Sequence, residues 1–285
     1  MTNNNVSNND KDNDNEMTTN ENRKLKKWQN FIWIIPIING LMWPLNILIG
    51  YFIGIGYDLI DPSIPPPYVS DIASIGRLFA GYFSFIGHIL IILFIITIIY
   101  RYRQLKYYFN MAMTKETNMN SESQQTIQKL QQRNHQALIV AILATIGTLI
   151  WINFRSNQQF IIHSIGICWM YLATSIYMFL MCFLCKKLYD YGQVESKPIT
   201  MFISTILYVI SSWTSVVFFI ISAKQLPKFK HILHQHLRLY WPHYIDGYLW
   251  HILANICSWI MIFAYTIFIW SIGQRMRRFI RLQND

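Results

Sequence analysis

The side chains of this chain that could do chemistry are few and widely spaced. A phenol, a hydroxyl and a carboxylate stand together in Pro67-Tyr68-Val69-Ser70-Asp71, and His163 and His251 follow far downstream. A carboxylate leaving water needs a partner, and an imidazole supplies one; the pair would favour the charged ring in an acidic compartment. Tyr68, Ser70, Asp71, His163 and His251 therefore form a candidate polar cluster. Cys182-Phe183-Leu184-Cys185 precedes Lys186-Lys187. Thiols beside a basic membrane interface are palmitoylation candidates, and the same spacing can bind metal or serve redox chemistry. His231, His234 and His236 have metal-like spacing, and His243 follows. Apolar residues interleave with them, which also suits a half-submerged interfacial segment or a loop that charges at acidic pH. Arg101, Arg103, Lys186, Lys187, Arg275, Arg277, Arg278 and Arg281 form basic collars suited to anionic lipid. No nucleotide-binding glycine loop, no G-x-S-x-G and no H-E-x-x-H occurs. No catalytic residue, metal site or cofactor is assigned.

What must position these groups is a membrane domain. Hydrophobic residues make up 53% of the chain and charged residues 13%, against about 25% charged in soluble domains. The apolar residues come in blocks at 31–56, 78–100, 137–152, 161–185, 199–223 and 248–272, near the ~20 residues that cross a hydrocarbon core. The expected fold is all-α: a polytopic bundle of six transmembrane helices. No predicted span holds Asp, Glu, Lys or Arg in its interior, whereas pumps and proton-coupled transporters use such charges. His88 lies deep in the second span. Asn39 and Asn46 in the first are expected to face neighbouring helices. Spans three and four are separated only by 153–160 and must be neighbours.

Between spans one and two, Tyr57 to Asp71 holds four prolines and three aspartates and no cation. Proline fixes φ and donates no hydrogen bond, so this stretch is a stiff loop that faces water or packs on protein. It reads either as a connector or as a recognition loop.

With both termini in the cytosol, eighteen of the 24 Lys and Arg fall on the cytosolic side; the other six are Arg77, Arg155, Lys224, Lys228, Lys230 and Arg238. That asymmetry sets the expected orientation and puts the proline loop in the lumen or outside. It also accounts for most of the +10 net charge. The cations flank spans instead of lining one face, which argues against nucleic-acid binding. Residues 1–28 read as a disordered cytosolic tail, 29–273 as the transmembrane domain and 274–285 as a basic cytosolic tail. Within the long cytosolic loop, 121–136 can form a polar helix with Ile127 and Leu130 on one side.

Short motifs, in order, carry a resemblance. Pro67-Tyr68-Val69-Ser70-Asp71 is similar to P-Y-I-S-D. Arg101-Tyr102 follows the second span. Asn153-Phe154 and then His163-x-x-Gly166 are similar to A-N-F and H-x-x-G. His251-Ile252-Leu253-Ala254-Asn255-Ile256-Cys257-Ser258-Trp259 is similar to H-x-x-x-A-x-x-E-W. Together they resemble the DRAM family of autophagy modulators, within the Frag/DRAM/Sfk group of six-span proteins, over about residues 30–282. The chain departs at Ile72-Ala73-Ser74-Ile75-Gly76-Arg77, where the family has Gly and then Pro-Glu, and at Ser258, which replaces an acid.

The resemblance implies a non-enzymatic multi-pass protein of lysosomal or other endomembranes that modulates autophagy or membrane-lipid homeostasis. Its expected partners are membrane lipids, including anionic lipids of the cytosolic leaflet, and proteins that remain unnamed. Two alternatives stay open: a plasma-membrane scaffold for phosphoinositide kinase regulation, and a GPI-anchor lipid-remodelling factor using Asp71, His163 and His251.

Overall fold

The computed structural model describes residues 31–62, 66–115, 121–192, 196–226, 241 and 243–284. The order is α1 (Ile34–Gly56), a single turn α2 (Val69–Ile72), α3 (Arg77–Lys115), α4 (Ser121–Asn153), α5 (Phe160–Asp190), α6 (Ile199–Lys224) and α7 (Tyr248–Asn284). All but α2 are long and apolar enough to cross a membrane, giving the six spans expected. Pro36 falls in the first turn of α1, where the missing N–H has no intrahelical acceptor to lose, whereas Pro44 lies inside the helix.

The helices close into a ring. Each long helix packs on its neighbours in sequence, and α7 returns to pack on α1. The seam between α4 and α5 is set by glycine. A Cβ on Gly147 would lie 2.6 Å from Met170 N, and one on Gly166 2.9 Å from Trp151 N. Only a missing side chain allows backbones this close, a common device of membrane helix pairs. Asn39 does face its neighbours: its Nδ2 donates to Leu90 O at 2.5 Å, and Tyr265 donates to its Oδ1 at 3.3 Å. Asn46 is fully buried, and neither amide atom has a hydrogen-bond partner among the described residues.

Aromatic residues fill the ring. Trp151 packs against Trp43 and Phe83, each with centroids 5.7 Å away, and Phe94 meets Tyr177 at 6.0 Å. Trp43, Phe94 and Trp151 line a small, mostly apolar central cavity of about 70 Å³, to which all six long helices contribute. Outward-facing Phe52, Leu78 and Ile161 are exposed, as lipid contact requires.

The helices outrun the expected spans at the end that carries the chain termini. α3 has 39 residues and α7 has 37, so they run about 58 and 55 Å at 1.5 Å per residue, against about 30 Å of hydrocarbon. α4 starts at Ser121, so the polar 121–136 stretch and the third span are one helix. Ile127 and Leu130 are buried. Tyr108 meets Phe279 at 5.1 Å, and Asn134 donates to Tyr102 O at 3.0 Å. The three helices thus form a collar beyond the ring.

Candidate functional site at the loop end of the ring

At the opposite end, the segment from Pro67 to Ala73 turns inward and α2 seals the ring. Asp58, with φ of 55°, begins the turn and Gly76, with φ of 57°, ends it. A left-handed φ is tolerated by glycine and, among the rest, best by Asn and Asp, which suits both residues. Val69 to Ala73 are buried, so the loop packs on protein as a connector in water would not.

Each fastening comes from a different part of the chain. Trp259 Nε1 donates to Pro67 O at 3.2 Å. Tyr68 shares a short hydrogen bond with Ser215 Oγ, and Ser215 donates to Ala254 O at 3.1 Å. Since Ser215 gives its own proton to that carbonyl, the phenol is the donor to Ser215. Burial pushes the Tyr68 phenol well above its ordinary pKa, with the Ser215 hydrogen bond opposing this and Asp71 adding to it. Asp71, almost fully buried, accepts from Ser156 Oγ at 3.1 Å. Ser74 Oγ lies 3.0 Å from Ser156 Oγ and 2.9 Å from Ser70 O. His163 Nδ1 is 2.6 Å from Phe154 O, so Nδ1 carries the proton and Nε2 is the acceptor of the neutral ring.

Tyr68, Ser70, Asp71 and His163 line one pocket of about 70 Å³ together with Ser156. That volume has room for a few waters. His251 does not line it. Its ring stacks on Trp241, centroids 4.5 Å apart, in a separate patch with Ala223 and Leu226. Four of the five residues of the expected cluster therefore share a pocket, and His251 stands one turn before Ala254 on α7. His88 bonds to Ser84 O at 2.7 Å and to Asn153 at 3.3 Å. Ser258, which stands where the resemblance expects an acid, donates within its own helix to Asn255 O at 2.7 Å.

The fastening hydroxyls of Ser74, Ser156 and Ser215 had no signal in the sequence, because isolated serines, two in connecting segments and one in an apolar helix, have no spacing to read. Trp259 and Ala254 did lie inside a quoted motif. Motif residues far apart in sequence, Pro67 to Asp71, Phe154 with His163, and Ala254 with Trp259, thus converge on this end.

The terminal end holds the cations, and they divide. Arg101 is buried, donating to Gln104 Oε1 at 2.5 Å and to Cys185 Sγ at 2.8 Å. It cannot reach a lipid headgroup from there, so the structure corrects its expected lipid role to a structural one. Gln104 Nε2 donates to Arg275 O at 3.2 Å, and Arg275 Nη1 donates to Ser196 O at 2.8 Å. Arg277 sits over the Trp33 ring at 4.6 Å. Arg103, Lys186, Arg278 and Arg281 are exposed and Lys187 is half-buried. Cys182 and Cys185 are interior, and Cys182 Sγ is 3.3 Å from Thr205 Oγ1. A palmitoyl chain has no room on either thiol in the packed ring, because the apolar face that carries them is covered by other helices. Among the described residues no group of His, Cys, Asp or Glu could hold a metal. His231, His234 and His236 lie outside the described residues, and His243 is exposed.

A family profile described as Frag1/DRAM/Sfk1/Cwh43P N-terminal domain matches residues 31–273. No curated protein and no solved structure matches the chain.

Proposed function

Because the chain belongs to the Frag1/DRAM/Sfk1/Cwh43P family, we propose that it modulates autophagy or membrane-lipid homeostasis, without catalysis, in lysosomal or other endomembranes. Both termini and the basic collars face the cytosol in this reading, as the distribution of Lys and Arg supports. The observation that carries the non-enzymatic part is the use of the reactive side chains at the loop end. Tyr68, Asp71, Ser156, Ser215 and Trp259 bond to one another or to backbone and hold the loop in the ring. Asp71 and His163 share their pocket with several hydroxyls. There they serve as part of a polar seal.

The test is deletion of the gene with re-expression of wild type and of His163→Ala. Turnover of lipidated autophagosome marker, whole-membrane lipid composition and the location of a tagged copy are measured. The reading expects a changed flux or composition, an endomembrane location and rescue by both forms. A His163→Ala protein that localises normally but loses a lipid product would favour the lipid-remodelling alternative. An unchanged flux and composition on deletion would refute the proposal. The basic terminal end favours the scaffold alternative, which a plasma-membrane location would support.

A further inference from the structure

A second pocket, of about 470 Å³, opens at the terminal end between the start of α6 and the last turns of α7. Three cations line it: Lys197, Arg275 and Arg278. Among the described residues no carboxylate lines it. Thr200, Ser271 and Gln274 add neutral hydrogen-bonding groups. The arrangement is built in advance, because buried Arg275 donates to Ser196 O and so fixes the segment that carries Lys197 against α7. Lys197 and Arg278 are exposed at the rim.

The pocket also has an apolar flank. Ile267 and Trp270 line it, and both are exposed on the outer face of α7, at 45% and 43%. Trp270, Ser271, Gln274 and Arg278 follow at helical spacing on one face. From Trp270 to Arg278 the axis rises about 12 Å. That rise passes from acyl-chain level through the polar interface of one leaflet, which is about 5–8 Å deep. A soluble anion would use the cations alone. A lipid would use both parts.

We propose that this pocket seats the phosphate of an anionic lipid headgroup, with an acyl chain lying along Ile267 and Trp270. Three cations, with no acid among the described lining residues, suit a phosphomonoester, which carries close to two negative charges at neutral pH, better than a zwitterionic headgroup. Guanidinium groups match the geometry of phosphate oxygens. The inference rests on the reading that this protein responds to membrane lipid, and adds to it a site and a ligand class.

The experiment uses the full chain purified in phosphatidylcholine nanodiscs doped with phosphatidic acid, with bound lipid measured by native mass spectrometry. Phosphatidic acid should be retained over phosphatidylcholine. The double variant Lys197→Gln/Arg278→Gln should weaken retention about tenfold or more, at roughly 1 kcal/mol for each surface cation removed. The control Arg155→Gln/Lys224→Gln removes two cations at the opposite end of the ring, far beyond a screening length from the pocket, and should change retention by less than about twofold. Equal retention of phosphatidylcholine, an unaffected pocket variant, or an equal loss in the control would each overturn the proposal. Inorganic phosphate is the competing probe. If it displaces the lipid at equal concentration, the ligand is free phosphate and the lipid assignment is wrong. All of these arms read binding, so they fail or succeed independently of the autophagy measurements.

Discussion

The two ends of the ring solve opposite problems. At the loop end a single buried carboxylate, Asp71, is surrounded by hydroxyls, and most fastenings join parts of the chain far apart in sequence. The space left there is small, about 70 Å³, with room for little besides water. At the terminal end buried Arg101 and Arg275 are tied to Gln104, Cys185 and backbone carbonyls, while further cations border an open groove. A charge leaving water is stabilised by hydrogen bonds whatever its sign. What differs is what remains available afterwards: sealed packing at one end and accessible positive charge at the other. The resemblance motifs follow this division. Most of them build the seal, whereas Arg101-Tyr102 builds the frame behind the groove.

The largest effect expected is from Gly166→Val, which strikes the loop half of the seam between α4 and α5. A Cβ there meets Trp151 N, which is backbone and cannot turn aside. The cost should be about 3 kcal/mol or more, seen as loss of monodisperse protein on size exclusion in mild detergent. If Gly166→Val purifies and melts like wild type, the close approach is not what holds the loop end.

Next is Arg101→Ala, which tests whether the terminal-end cations differ among themselves. It strips the donor from Gln104 and Cys185 inside the bundle and should cost about 3 kcal/mol. Exposed Arg103→Ala should stay within about 0.5 kcal/mol. Thermal unfolding of the purified variants decides it. Equal effects would mean that burial does not separate frame from groove.

Hydropathy made the six helices legible, since an apolar block of the right length has few other fates. It did not show where they end. Polar segments such as 102–115 and 121–136 continue the apolar ones as helix, and a hydropathy scan stops at the change of polarity. It did not show faces either. Arg101 and Arg103 read alike as collar residues, although one is buried and the other exposed. Lys197 looked like one more cytosolic cation, because only the fold brings it beside Arg275 and Arg278. At the loop end Tyr68, Asp71 and His163 stood out by residue type, but Ser156 and Ser215 did not. His251 was placed in the cluster because its position along the span fitted, and stacking on Trp241 takes its ring elsewhere.

Asp71→Ala should be milder than either change above. It removes the acceptor of Ser156 and leaves that hydroxyl buried, at a cost of about 2 kcal/mol. Asp71→Asn keeps an oxygen at the same place and should cost less than about 1 kcal/mol. If both variants melt alike, the carboxylate is not part of the seal.

The smallest effect is expected at Tyr68, and it carries a pH signature. Tyr68→Phe keeps the ring that packs on Phe219 at 5.8 Å and removes only the donor to Ser215. Ser215 keeps its bond to Ala254 O, so the loss is about one ordinary hydrogen bond, near 1 kcal/mol. Burial raises the pKa of this phenol above the ordinary value of about 10. From that value upward the unfolded chain releases the proton while the folded one keeps it, so the folded state binds more protons and stability falls as pH rises. Removing this phenol should therefore make the wild-type decline above about pH 10 shallower in Tyr68→Phe. Unfolding midpoints in detergent across that range measure the slope. A parallel decline in wild type and Tyr68→Phe would mean that the phenol meets water at the loop end, and that the seal there is as open as the groove opposite.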